Sequence, residues 1–384
     1  MPLFLSDTLS ATRKPVPAGP IKLYVCGVTP YDTTHLGHAF TFVQFDTLVR
    51  ALHWLSPPGR EVIYVQNVTD IDDSILIRAR KLGVDWQALG DEQIEHYRAD
   101  MRALNVAEPT HFVRATSAMK TILHLIETLV QSEAAYVVEG GSVFFRVSAS
   151  PTYGELSKLS RDQMFLLASQ QDDADTDDPR KEDPLDFALW KGWSGQPDEP
   201  CWDSPWGRGR PGWHIECSAL CYQYVGPQIT IHGGGADLIF PHHESEIAQS
   251  EKALSVRPFA QIWSHVAMVR MDGEKMSKSL GNMVFLRELL KSYSADAIRV
   301  YLLSHHYRQA WEWSPAEMDA AAHVVHRLNA AAREPDTASA TNREAFAAAL
   351  ADDLNTPRAL DILQTLSGTT FRELGAVLGL TFEN

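Results

Sequence analysis

Ile21-Lys22-Leu23-Tyr24-Val25-Cys26-Gly27-Val28-Thr29-Pro30-Tyr31-Asp32-Thr33-Thr34-His35-Leu36-Gly37-His38-Ala39 is the stretch from which the fold is read. Lys22 to Cys26 reads as a short buried strand. Beyond the histidines, Phe40, Phe42, Val43, Phe45, Leu48, Val49 and Leu52 recur at helical spacing. His35 and His38 therefore stand where a strand and loop open into a helix. A helix start offers unpaired N–H groups and a positive dipole end, which suits an anion such as phosphate. Gly37 lets a ligand approach the backbone closely. Taken alone, the tetrapeptide His35-Leu36-Gly37-His38 also reads as ordinary loop and helix-start histidines.

Working outward, a second strand, Glu61 to Val68, runs into Thr69-Asp70-Ile71-Asp72-Asp73 and a charged helix from Ser74. Strand, helix, strand, helix predicts a parallel, doubly wound sheet, in which ligands sit at the carboxyl ends of strands. Cys26 and the Asn67–Asp73 loop fall at such ends. Asp70, Asp72 and Asp73 fit equally as plain helix-start carboxylates. From residue 116 to 204 the pattern is that of an insertion: a helix over Lys120–Ser132, short strand-like pieces, and a polar tract from Ser169 to Asp183 read as a mobile loop. The α/β pattern returns over 205–265. Gly212-Trp213-His214-Ile215-Glu216-Cys217 leads into a strand over Gln228–His232, then Gly233-Gly234-Gly235, then a helix opening near His242. Residues 266–313 hold the loop Met271 to Asn282. From Ser314 to 384 the chain reads as helical, with Ser314-Pro315-Ala316-Glu317 as a capping signature.

The chain has 384 residues, room for more than one domain and a sizeable core. No apolar run approaches a membrane span, and the first twenty residues lack a signal-peptide core, so a cytoplasmic protein without a membrane partner is expected. The four cysteines are too scattered for a disulfide framework, and a reducing compartment fits them. A net charge of −15 argues against nucleic-acid binding through bulk charge, though not against a local basic groove around Arg208, Arg210 or the Lys275/Lys278 loop.

Two constellations carry chemistry. His242 and Glu246 are spaced to share one helix face. With Cys26 and Cys217 they form a set of thiolates, imidazole and carboxylate suited to tetrahedral Zn²⁺. Spacing alone leaves Cys221, His214, His243 and Glu244 as competitors, and leaves open the plain reading of two buried cysteines and a surface His/Glu pair. The second constellation is Lys275-Met276-Ser277-Lys278-Ser279, a cationic loop able to neutralise charge on a pyrophosphate leaving group, or simply solvated surface.

Together, His35-Leu36-Gly37-His38 and Lys275-Met276-Ser277-Lys278-Ser279 resemble the two signature motifs of class I aminoacyl-tRNA synthetases. Tyr24-Val25-Cys26-Gly27, Gly209 to Ser218, His232 to Leu238 and Pro241-His242-His243-Glu244 resemble the cysteinyl-tRNA synthetase family from about residue 20 to about 310. The resemblance implies a Rossmann-type catalytic domain split by a connective insertion (first half 1–115, insertion 116–204, second half 205–265), a stem-contact region (266–313) and a C-terminal helical domain (314–384). It implies zinc on Cys26, Cys217, His242 and Glu246, and substrate cysteine near Cys26, Thr29, Thr69 and Trp213. It places ATP, with Mg²⁺, against Gly37, the Gly233-Gly234-Gly235 run, Asp237 and the Lys275–Ser279 loop. His35, His38, Lys275 and Lys278 would hold the phosphates. The implied activity is formation of cysteinyl-adenylate and transfer to tRNA(Cys), by a monomer. Asp352-Asp353-Leu354-Asn355-Thr356-Pro357 looks like the start of the family's helical bundle, and most of its anticodon contacts are expected to be missing.

A sister family, the cysteine:glucosaminyl-inositol ligases of mycothiol biosynthesis, shares this core. Gln66-Asn67-Val68-Thr69-Asp70 and Asp85-Trp86 lean toward it. Glu246 as a fourth protein ligand and Pro184 to Lys191 lean toward the tRNA enzymes, and the reading preferred from sequence is the tRNA acceptor. A non-catalytic paralogue that only binds cysteine or an adenylate is the reading of a different class.

Overall fold

The apolar run from Ile21 becomes the middle strand of a five-stranded sheet in the computed structural model, which describes residues 1–171, 174–276, 281–337 and 339–382. In order across the sheet the strands are Ala260–Val266, Ile229–Gly235, Ile21–Val28, Val62–Val68 and His111–Arg114, and every neighbour pair is parallel. Both faces are covered. Leu23 and Val25 point into one core with helix Leu36–Leu55, and Tyr24 and Cys26 point into the other with helix Trp213–Val225. A strand buried on both sides carries no polar alternation, which is why Ile21–Val28 reads as continuous apolar sequence. The doubly wound α/β sheet expected from sequence is present.

Strand order reverses between Ile21–Val28 and Ile229–Gly235, the topological switch point at which open α/β sheets take ligands. The pairing of Ile21–Val28 with Val62–Val68 slips between Val25 and Val28. Such a slip bends a strand and re-aims its side chains, and here it brackets Cys26. Gly27 is required at the same place, because a Cβ on it would lie 1.7 Å from the Asn67 carbonyl oxygen.

Between His111–Arg114 and Ile229–Gly235 the chain builds a four-stranded antiparallel sheet: Ala135–Val137, Val143–Phe145, Phe187–Gly192 and Gly209–Pro211. This sheet continues past residue 204. In the acidic tract read as a mobile loop, Arg180 pairs with Asp178 at 2.6 Å and Lys181 with Asp175 within the tract, and Arg161 pairs with Asp183 at 2.5 Å, while Asp172 and Asp173 lie outside the described residues. Helices Pro315–Ala331, Ala340–Ala351, Thr356–Leu363 and Gly368–Val377 follow the parallel sheet in the chain. Ser314 caps the first by accepting from Glu317 N, as its sequence predicts. Among the described residues no helix is long and apolar enough to cross a membrane.

A hairpin, Phe4–Asp7 with Thr12–Pro15, is held to the far end of the chain by Asp353. The carboxylate of Asp353 accepts from Ser6 N and Oγ, Tyr307 Oη and Arg308 Nη1, at 2.7–2.9 Å. Burial opposes its charge, but these donors outweigh burial and hold its pKa below the ordinary carboxylate value. A depressed carboxylate pKa stabilises the fold above the unfolded value, near 3.9, and that contribution disappears as pH falls through the folded value. Asp353→Asn, which tolerates the left-handed φ of 59° found there, should cost about 1.5–3 kcal/mol at neutral pH. The gap from the parent protein should close below about pH 4. Urea denaturation of both proteins across pH measures this, and a gap independent of pH would contradict it.

Candidate metal centre and nucleotide site

Four segments distant in sequence deliver Cys26, Cys217, His242 and Glu246 to one place, all buried, with one ligand atom of each within 4.8 Å of the others. Cys26 comes from the re-aimed strand and Cys217 from helix Trp213–Val225. His242 lies in the wide turn Ile239–His243, and Glu246 lies in the first turn of helix Glu244–Leu254. The two helices are locked together by Gln249 Nε2, which donates to the His214 carbonyl (2.6 Å) and Ser218 Oγ (2.8 Å), and by Ser250 Oγ to Ser218 Oγ (2.7 Å).

Three of the separations match edges of a tetrahedron. Metal–ligand bonds of 2.0–2.3 Å imply ligand–ligand separations of about 3.3–3.8 Å. Cys26 Sγ to Cys217 Sγ is 3.7 Å, Cys26 Sγ to Glu246 Oε2 is 3.8 Å, and His242 Nε2 to Glu246 Oε2 is 3.7 Å. Of the competing residues, Glu244, Cys221 and His214 are otherwise engaged, whereas His243 Nε2 lies as close to Glu246 Oε2, at 3.7 Å, as His242 does. Glu244 accepts from Ser157 N at 2.8 Å, anchoring the insertion, and Cys221 Sγ sits 4.0 Å from His232 Nε2. His214 Nδ1 is 3.0 Å from His242 Nδ1, so this contact leaves Nε2 of His242 as the nitrogen facing Glu246.

His232 and His265, which spacing does not pick out as ligands, join His243 around this centre. His232 Nε2 lies 3.2 Å from Glu246 Oε1, and His243 Nδ1 lies 2.7 Å from His265 Nε2. Cys26, His232, His243 and Glu246 form a second convergent group that shares two members with the first. Burial drives the pKa of His232 and of His265 down to about 3, and holds His242 and His243 well below the ordinary imidazole value. Burial likewise pushes the Cys26 thiol and the Glu246 carboxyl up. The imidazoles are therefore neutral lone-pair donors at neutral pH.

Trp213, half-buried, stacks on His242 with ring centroids 4.4 Å apart. Thr69 stands at the carboxyl end of Val62–Val68, its N–H donating to the Val28 carbonyl (3.1 Å) and its Oγ1 accepting from Asn67 Nδ2 (3.3 Å). Thr29 follows the strand that carries Cys26, and its carbonyl accepts from Tyr31 N (3.0 Å).

His35 is the residue that caps helix Leu36–Leu55, its Nδ1 accepting from Gly37 N at 3.1 Å, and the His35 and His38 rings stack at 3.7 Å. A Cβ at Gly37 would meet the His35 ring at 2.9 Å. Leu36 N donates to the Val284 carbonyl (2.8 Å) and Leu286 N to the Thr34 carbonyl (3.1 Å). The chain leaving the lysine loop is thus stitched to the histidine pair. Lys275 pairs with Arg270 in a small sheet, and Met276 is buried. Ser277, Lys278 and Ser279 lie outside the described residues. In the Gly233–Gly235 run, side-chain room is taken by neighbours: a Cβ would meet Phe45 at 2.3 Å from Gly233, His243 at 3.0 Å from Gly234 and Asp237 Oδ1 at 2.4 Å from Gly235. Asp237 itself is exposed.

A parallel sheet with this donor set and a histidine pair at its switch point defines a class of nucleotide-dependent enzyme, and comparison with known proteins gives the family. Residues 12–323 match the family described as tRNA synthetases class I (C) catalytic domain, and the chain belongs to it. A protein of Frankia casuarinae named L-cysteine:1D-myo-inositol 2-amino-2-deoxy-alpha-D-glucopyranoside ligase is 43% identical, over 98% of this chain and 81% of the relative. A cysteine--tRNA ligase of Nitrosomonas europaea is 42% identical, over 98% and 85%. Among solved structures, Mycobacterium tuberculosis methionyl-tRNA synthetase in complex with methionyl-adenylate superposes with a TM-score of 0.64 at 15% identity, over 90% of this chain and 82% of that one, a likeness of fold.

Proposed function

We propose that this protein activates L-cysteine with ATP and passes the cysteinyl group to tRNA(Cys). The observation that carries the reading is the convergence of Cys26, Cys217, His242 and Glu246, buried and with ligand atoms within 4.8 Å of one another, beside the sheet's switch point. These residues would hold Zn²⁺, which when bound supplies a soft Lewis acid with affinity for a thiolate that it lacks for a serine hydroxyl. A site that binds the distinguishing atom discriminates without a second, editing site.

The substrate's carboxylate is already ionised and attacks the α-phosphorus of ATP. The bond to the pyrophosphate oxygen breaks, leaving cysteinyl-adenylate and pyrophosphate, and no general base is needed. The work of the chain is positioning and charge neutralisation. His35 and His38, at a helix N-terminus, bind phosphate oxygens. Lys275 and Lys278, with Mg²⁺ on the ATP, offset charge on the leaving pyrophosphate. Gly37, the Gly233–Gly235 segment and Asp237 seat the nucleotide, with Met276, Ser277 and Ser279 as the further nucleotide-binding residues that the family resemblance implies. Thr29, Thr69 and Trp213 hold the amino-acid end. A ribose hydroxyl of the tRNA then attacks the mixed anhydride and AMP departs. Glu246 as a fourth donor supports the tRNA acceptor. A second acceptor, the amine of glucosaminyl-inositol, is favoured by the equal similarity to ligases of that name. We place the protein in the cytoplasm, acting as a monomer.

The test supplies purified protein with ATP, Mg²⁺ and labelled cysteine, and either tRNA or glucosaminyl-inositol. Cysteine-dependent ATP–pyrophosphate exchange with label on tRNA is the expected result. Label on the amino sugar alone would transfer the assignment to the second acceptor. No exchange would overturn cysteine activation itself.

A further inference from the structure

The insertion and the first half of the catalytic core meet at charged groups that none of this chemistry uses: an Asp73–Lys191–Arg210 triad, with Glu199 Oε1 3.4 Å from Arg210 Nε, and an exposed Arg80–Asp198 pair at 2.6 Å. Asp73, the first residue of helix Asp73–Leu82, directly follows the Thr69–Asp72 loop. Its carboxylate accepts from Lys191 Nζ at 2.6 Å and from Arg210 Nη2 at 2.5 Å. Lys191 and Arg210 face each other across neighbouring strands of the insertion sheet. Their side chains are 20% and 8% exposed and that of Asp73 is 24% exposed, so the triad is far less screened than a surface pair. The cations outweigh burial and hold the Asp73 pKa below the ordinary carboxylate value.

Each end of the triad leads by a stiff path to one wall of the cysteine site. On one side, Asp72 caps the helix through Ser74 N (2.8 Å), and Asp70 accepts from Thr116 N (2.9 Å) and Oγ1 (2.6 Å), so the loop carrying Thr69 is tied along its length. On the other side, Arg210 is followed by Pro211 and by Gly212, whose N–H donates to the Leu189 carbonyl at 2.9 Å. A Cβ on Gly212 would lie 1.9 Å from the Ala188 carbonyl oxygen, so this backbone is packed directly on the strand that carries Lys191. Trp213 comes next and opens the helix that bears Cys217.

We infer that Asp73, Lys191 and Arg210 are positioning residues that set the Thr69 loop against the Trp213 wall, and so couple the insertion to cysteine binding. This rests on the cysteine-activating reading above. Partly buried charge pairs that bridge two segments of the chain hold their relative geometry, and displacement of a binding wall by about 1 Å can cost up to about a hundredfold in rate.

The test compares the parent protein with Asp73→Asn, Asp73→Glu and Lys191→Met, in full chains with equal melting temperature. Asp73→Asn should raise the cysteine KM in ATP–pyrophosphate exchange by about tenfold while the ATP KM stays within about twofold. Lys191→Met should move the same way by less, and Asp73→Glu should recover part of the loss. Hydrogen–deuterium exchange should rise over 69–82 and over 209–216 in Asp73→Asn. An unchanged cysteine KM, or equal rises in both KM values, overturns the inference. If the parent protein shows no cysteine-dependent exchange, the functional reading fails on that result alone. Protection of 69–82 and 209–216 then decides the coupling, and unaltered protection in Asp73→Asn rejects it. Should Asp73→Asn fold poorly, Lys191→Met carries the same comparisons.

Discussion

Cys217→Ser should lose both its metal and its cysteine-dependent ATP–pyrophosphate exchange while remaining folded. Cys217 Sγ stands 3.7 Å from Cys26 Sγ, one edge of the proposed zinc tetrahedron. A serine hydroxyl is a hard, protonated donor and does not replace a thiolate on Zn²⁺. Metal content should fall from about one ion per chain to near none. Exchange should fall by at least about a hundredfold, since losses of that size already follow from altering groups that merely orient ligands. The fold should survive, because Cys217 is one member among many of a large apolar core, so elemental analysis and far-ultraviolet circular dichroism read the two effects separately. The alternative donor set sharpens the test. If Cys217→Ser keeps its ion, the metal is held by Cys26, His232, His243 and Glu246, and His243→Asn is then the variant that releases it. Retention of the metal in both variants would remove the zinc centre from the reading.

The ease of reading this chain from its sequence varied with the range of the contacts. Strand Ile21–Val28 and helix Leu36–Leu55 announce themselves because their burial is local and periodic: consecutive apolar residues for a strand covered on both faces, and helical spacing from Phe40 to Leu52. The metal centre has no such local signature. Cys26 meets Cys217 across 191 residues and Glu246 across 220, and only His242 and Glu246 share a readable spacing. Family resemblance therefore named the four donors, where spacing left four competitors.

His232 and His265 carry no ligand signal in the sequence for a related reason. They sit on adjacent parallel strands, where an inward-facing histidine follows the same alternation as any core residue. The N-terminal hairpin was equally hidden. Its anchor is a carboxylate 347 residues away, and strands of four residues carry little periodicity. The glycine run was legible as a place of close approach but not as to what approaches. Phe45, His243 and Asp237 fill those spaces.

Asp46→Ala should destabilise the whole catalytic unit by about 3–5 kcal/mol, because it strands a buried cation. Arg299 and Asp46 are both essentially inaccessible and meet at 2.6 Å. Arg299 also donates to the Leu378 carbonyl through Nε (3.0 Å) and Nη2 (2.8 Å), and to the Leu104 carbonyl through Nη1 (2.8 Å). Asp46 accepts further from Arg50 Nε (2.9 Å) and Ala107 N (3.0 Å). This one network joins helix Leu36–Leu55, the turn after helix Trp86–Ala103, helix Ala295–Leu303 and the end of helix Gly368–Val377. The packing is tight enough that Gly379, at φ 74°, cannot carry a side chain: a Cβ would lie 2.1 Å from Arg299 Nη2. Burial already lowers the Arg299 pKa against the attraction of Asp46, and alanine at 46 would remove that attraction. Urea denaturation should show the loss, and a double variant Asp46→Leu/Arg299→Met should recover much of it, since apolar replacement of a buried pair removes the stranded charge. The helix bearing Asp46 begins at the His35–His38 pair, so the C-terminal helices brace the proposed nucleotide site from behind. Exchange activity in Asp46→Ala should therefore fall with the folded fraction, leaving the KM for ATP unchanged below the melting temperature. A raised ATP KM in fully folded protein would instead mean that the network sets the histidine geometry directly, and an unchanged denaturation midpoint would mean that the helical tail does not support the core.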